Sequence, residues 1–139
     1  MKLITLNTHS LVEADYENKL KLFAEAVLRE RPDVVALQEV NQSMGEPAVG
    51  QERLGALGFV ECEERGNESK VEAGARGAVI PVRADNHAYR LAGLLAEGGA
   101  PYFWTWVPAK IGYGRYDEGT ALFSRLPVAQ TGWIYLTGS

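Results

Sequence analysis

A single cysteine, Cys62, excludes an intramolecular disulfide and suits a reducing cytosol. Its neighbours Glu61, Glu63 and Glu64 disfavour the thiolate, so it makes a poor nucleophile. Long hydrophobic runs are missing as well. None approaches the roughly 20 residues that cross a bilayer, and the chain enters strand-like sequence at once, without a signal peptide. The expectation is a cytoplasmic protein with no membrane contact. Positive charge is scarce: 14 Lys and Arg stand against 18 Asp and Glu, a net charge of −4. That balance withholds the broad basic footprint that duplex DNA requires, yet leaves room for a small anion held through a metal ion. CxxC pairs, HExxH, a Walker lysine loop and a GxSxG elbow are all absent. Histidine occurs only at His9 and His87.

What is present is ordinary for a globular protein. The 139 residues, 46% hydrophobic and 23% charged, fit one domain with a core. The informative stretch is 33–40, DVVALQEV. A short β-branched run reads as a strand buried on both faces, and it ends in Gln38 and Glu39. In open α/β sheets, ligand-binding groups gather at the carboxyl ends of such strands. A second strand is expected at 2–6, KLITL, ending in Asn7, Thr8, His9 and Ser10. Between them Leu20, Phe23, Ala24, Val27 and Leu28 recur at helical spacing over 16–30, with Asp15 as N-cap and Pro32 as stop. Strand, helix and strand make a βαβ unit, which predicts parallel strands with Asn7 and Glu39 emerging at one edge.

Further on, a short helix is expected at 51–57, an edge strand from 58 to 61 and a mobile loop over 61–76. Asp85 or Asn86 caps a second apolar-striped helix that ends at Gly98 and Gly99. The aromatic run at 102–108, YFWTWVP, and the runs at 120–123 and 132–136 read as strands, with Gly112 and Gly114 interrupting IGYGRYDEG.

LITLNTHS, DVVALQEVNQ and YDEGTALFSRLPV, in that order, resemble the endonuclease/exonuclease/phosphatase superfamily. DNHAY, YFWTW and KIGYGRYDEG look closer to a bacterial branch that includes maltose 6′-phosphate phosphatases. The resemblance implies an α/β (α+β) fold: half of a four-layer α/β/β/α sandwich, one mixed sheet with helices on its outer face. It implies Mg²⁺ or Mn²⁺ held by Glu39 and Asn7, with Asn7 and Glu118 in catalysis. Gln38 matches the near-invariant neighbour of the metal-binding glutamate. His9 stands where some relatives place a second acidic residue, and is read with Gln38, Tyr113, Arg115 and Asp117 as facing substrate. The substrate expected is a small phosphorylated molecule, a sugar phosphate first. A metal-dependent nuclease and a non-catalytic assembly module are the alternatives.

Relatives also carry a catalytic histidine, a GDFN-type Asp and Asn and a final Asp–His pair, none of which follows Val128. The 139 residues are therefore expected to form the N-terminal half only, inactive by itself. The sheet face that the missing half covers is expected to be apolar and to require self-association or a complementary chain.

Overall fold

The computed structural model describes residues 1–62, 80–112 and 114–127. The stretch expected as a buried strand forms β2 (Val34–Ser43), which runs on beyond Val40. It pairs in parallel with β1 (Leu3–Asn7) through Leu3↔Val34 to Asn7↔Gln38. The crossover between them is α1 (Tyr16–Glu30), so the βαβ unit is as the periodicity predicts. Asp15 occupies the N-cap position of α1 but its side chain makes no capping bond. The helix ends where Arg31, left-handed before Pro32, donates its N–H to the Val27 carbonyl at 2.8 Å.

On the other side of β2 lie β3 (Phe103–Gly112) and β4 (Tyr116–Ser124), an antiparallel pair, giving the sheet order β1-β2-β4-β3. The strand expected at 120–123 is longer than its apolar run, because Asp117, Glu118 and Gly119 join the ladder with β2 and β3. The edge strand expected from 58 to 61 is reduced to a parallel bridge between Phe59 and Trp104. The short helix is α2 (Gln51–Ala56), and α3 (His87–Glu97) is capped by the Asn86 side chain, which accepts the Tyr89 N–H at 3.1 Å. The loop at 61–76, from 63 onward, and the strand at 132–136 lie outside the described residues.

Residues paired across strands share a face. On one face Val35, Leu37, Trp104, Trp106 and Phe123 are buried with Leu20 and Val27 of α1 and Leu91 and Leu95 of α3. Trp104 and Phe123 stack with ring centroids 5.9 Å apart. A bidentate Arg90–Glu17 pair, at 2.6 and 2.7 Å, ties α3 to α1.

The opposite face carries Leu3, Phe103 and Leu122, which are 59%, 37% and 44% exposed, around half-buried Val34, Ala36 and Val107. β2 is thus buried on one side rather than both, and β1 is an exposed edge strand rather than a buried one. No second sheet covers that face among the described residues. No helix among them is long and apolar enough to cross a membrane. A mixed α/β fold, one four-stranded sheet with its helices on one face, is what the sequence led us to expect.

Gly119 marks the tightest point of the sheet. A Cβ there would collide with the Val107 carbonyl on β3. Gly93 in α3 has nothing near its missing side chain. Chemical denaturation should show Gly119→Ala destabilised by about 1–3 kcal/mol through overpacking. Gly93→Ala should gain about 0.5–1 kcal/mol of helix propensity.

Candidate functional site

The β2–β4 register breaks between Leu37 and Val40. Glu39 lies in that break with φ 56°, a left-handed backbone for a residue with a side chain. His9 and Ser10, at φ 52° and 51°, share this conformation. Each such residue stores on the order of 1 kcal/mol of strain, which persists only where the surroundings over-determine it.

The surroundings do so by bonding the backbone groups on both sides of the bulge. Thr8 donates its N–H to the Gln38 carbonyl at 3.1 Å, and its hydroxyl reaches the Gln38 and Glu39 carbonyls at 3.2 and 3.3 Å. The indole N–H of Trp106 donates to the Val40 carbonyl at 3.0 Å. The Asn41 N–H donates to Ser10 Oγ at 3.0 Å.

The turn after β1 is built to meet the bulge. The side-chain carbonyl of Asn7 accepts the His9 N–H at 3.2 Å, folding the chain back. His9 Nδ1 then lies 3.0 Å from Glu39 Oε2, with the two side chains 58% and 36% exposed. Gln38 donates to Thr5 Oγ1 at 3.2 Å on the uncovered face. On the α1 side of Asn7 and His9 is a groove of about 230 Å³, bordered also by Leu6, Tyr16, Lys19 and His87. The structure therefore brings Asn7, His9, Gln38 and Glu39 to one sheet edge.

Of the other sequence-derived site residues, Asp117, Arg115 and Glu118 are described. Asp117 is buried and accepts from Gln42 Nε2 at 3.0 Å, with Arg83 Nε 3.7 Å away. Its carboxylate belongs to an internal polar network and is not presented to a substrate. Arg115 is exposed just before the start of β4, its guanidinium 5.1 Å from the Tyr116 ring centroid. Glu118 is buried opposite Asn41 in the ladder. Tyr113 lies outside the described residues.

Sequence reasoning passed over the residues just after Glu39. Gln42 is the hub of the network: it donates to the Pro81 carbonyl at 2.8 Å and to Asp117. It accepts from the Arg83 N–H at 2.8 Å and from Asn86 Nδ2 at 3.0 Å. Asn41 is fully buried, and neither polar atom of its amide has a partner among the described residues. The signal was available, since two amide side chains continue a strand that is otherwise apolar.

The donor set is one that a hydrated divalent cation accepts: one carboxylate, an amide oxygen and an imidazole nitrogen on an open edge. Magnesium keeps several waters and takes only one or two protein carboxylates. Among the described residues no three His, Cys, Asp or Glu side chains group together as a metal site.

A model of the Endonuclease/Exonuclease/phosphatase family matches residues 4–138. No curated protein matches the chain. Among solved structures it is similar to an endonuclease/exonuclease/phosphatase family protein from Leptotrichia buccalis C-1013-b. That match has a TM-score of 0.66 and 25% identity, covering 90% of this chain and 37% of the other. It also matches an endonuclease/exonuclease/phosphatase from Beutenbergia cavernae DSM 12333, with TM-score 0.49, 20% identity and coverage of 91% and 26%. The chain spans well under half the length of either protein.

His87, at the back of the groove, is 4% exposed and bonded to the Tyr16 hydroxyl at 2.8 Å. Burial, helped by the Arg90 charge, lowers its pKa from 6.5 to about 4. Burial also holds the Tyr16 phenol well above its ordinary value, against the pull of Arg90. An unfolded chain takes up the His87 proton below its ordinary pKa, whereas the folded chain resists until near the lowered one. Stability should therefore fall as pH drops from 6.5 toward 4, by about 3 kcal/mol from this residue. The depressed carboxylates Glu13, Glu17, Glu30 and Asp33 act only lower, below the ordinary carboxylate values. Denaturation midpoints between pH 6.5 and 4.5 should lose most of their slope in His87→Gln.

Proposed function

The chain belongs to the Endonuclease/Exonuclease/phosphatase family, and from that premise we propose that it carries the metal-binding edge of a divalent-metal-dependent phosphoester hydrolase. Its substrate is a small phosphorylated molecule, a sugar phosphate first, and its ion Mg²⁺ or Mn²⁺. The observation that carries this reading is the convergence of Asn7, His9 and Glu39 at the carboxyl ends of two parallel strands, with Glu39 held in a strained bulge. When bound, the ion supplies charge neutralisation on the phosphoryl group and on the leaving oxygen.

The chain's own residues divide the remaining work. Glu39 binds the ion by its carboxylate, and Asn7 shapes the turn beside it while offering the second lone pair of its amide oxygen. Gln38 fixes the strand end through Thr5. Glu118 keeps a carboxylate beneath the site, opposite Asn41. The groove beside Asn7 accepts the organic part of a small substrate, with Tyr16 and Phe23 as apolar walls and Lys19 at its border.

No general base stands at this edge among the described residues. His87 is buried against Tyr16, and His9 is engaged with Glu39. The reading is therefore that these 139 residues bind metal and turn over little or no substrate alone. A nuclease of the same family is disfavoured by the net charge of −4. The bare face around Leu3, Phe103 and Leu122 supports a further proposal: a covering layer, given by a second copy or by a complementary chain with the other half of a sandwich. The single cysteine fits a cytosolic setting.

Calorimetry should detect binding of Mg²⁺ or Mn²⁺ that Glu39→Ala abolishes. Phosphate release from sugar phosphates should stay near the EDTA-treated background. Metal binding that survives Glu39→Ala would overturn the assignment, and brisk EDTA-sensitive turnover would overturn the inactivity. Light scattering on a sizing column should show self-association that weakens in Leu122→Lys, or aggregation that a complementary chain suppresses. A compact, stable monomer would remove the covering layer.

A further inference from the structure

We propose that His9 is itself a metal ligand, sharing the ion with Glu39 and shifting the site's preference from magnesium toward cobalt, manganese and zinc. This rests on the metal role given above to Glu39 and adds a nitrogen donor to it.

The geometry is suited to the task. Two donors each about 2.1 Å from one ion, at right angles, lie about 3.0 Å apart. His9 Nδ1 and Glu39 Oε2 are 3.0 Å apart. The spacing that serves a hydrogen bond without metal also serves as one edge of an octahedron around it, so an ion can enter with little rearrangement. Both side chains are open to solvent, at 58% and 36%, and the groove beside them leaves an entry path.

A plain surface ion pair does not account for this arrangement. Bonds from Thr8, Ser10 and Trp106 hold the left-handed backbone, but an exposed pair of that kind contributes too little to fix two open side chains in one geometry. The Asn7 side chain also bonds the His9 N–H, aiming the imidazole at the bulge. A metal shared by both side chains supplies the missing reason for holding them together.

The choice of ion follows from the donors. An all-oxygen site suits magnesium, whereas imidazole suits the later first-row ions, whose affinities rise from manganese through cobalt. With no third acidic or histidine ligand grouped nearby among the described residues, waters and the Asn7 oxygen complete the shell. The ion stays hydrated and exchangeable.

The test is calorimetric titration of the full chain with Mg²⁺, Mn²⁺ and Co²⁺, alongside the visible spectrum of bound Co²⁺. The chain should bind Co²⁺ and Mn²⁺ more tightly than Mg²⁺. His9→Ala and His9→Gly should each weaken Co²⁺ by at least about tenfold, weaken Mg²⁺ far less and alter the Co²⁺ spectrum. Glycine at position 9 tolerates the positive φ, so His9→Gly separates ligand loss from backbone strain. If both variants bind Co²⁺ as the parent does while Glu39→Ala does not, His9 is no ligand and the Glu39 assignment stands. Equal weakening of Mg²⁺ and Co²⁺ would reduce His9 to a positioning role and likewise overturn the proposal. If Glu39→Ala also retains Co²⁺, the metal reading itself falls and this inference with it.

Discussion

The bulge at Glu39 is the constraint from which the rest of the site follows. A regular strand would point Glu39 and its neighbours alternately to the two faces and would keep the ladder with β4 intact. The register break removes Glu39 from that alternation, and φ 56° turns it toward the end of β1. Such a break is tolerated only if every diverted backbone group finds a partner. Thr8, Ser10 and Trp106 partner the Gln38, Glu39 and Val40 carbonyls and the Asn41 N–H, so two distant parts of the chain are committed to one bulge.

This dependence explains why the polar residues around the site divide into two kinds. Those on the open edge, Asn7, His9 and Gln38, have spare bonding capacity and face water. Those behind it, Gln42, Asp117, Asn86 and Arg83, are locked in a buried network that joins β2, β4 and the start of α3. Gln42 uses both hydrogens and both lone pairs of its amide, which makes it a spacer of fixed length between strand and helix. Asn41 is the exception, a buried amide without partners among the described residues.

The sequence made local structure legible wherever pattern and period dominate. Leu20, Ala24 and Val27 repeat at helical spacing and are buried in α1, and the parallel pairing of β1 with β2 followed from the crossover. Burial was misjudged, because β-branched residues such as Val34 favour strands whether or not a second layer covers them. The burial of Asp117 was not legible in DEG, because only the ladder with Gln42 places it in the interior. Glu39, Asn7 and their shared edge were readable from strand-end position. The left-handed backbone at Glu39 was not, since nothing in LQEV announces a bulge that is imposed by partners about 30 and 70 residues away.

One contact has an optical consequence. Trp106 is buried and donates its indole hydrogen to the carbonyl of Val40, the residue immediately following Glu39. An indole's excited-state dipole responds to nearby charge and to the strength of that one hydrogen bond. The molecule thus contains an intrinsic fluorophore bonded to the backbone of the bulge, and slippage of the bulge would register in the emission of Trp106 without any label being attached.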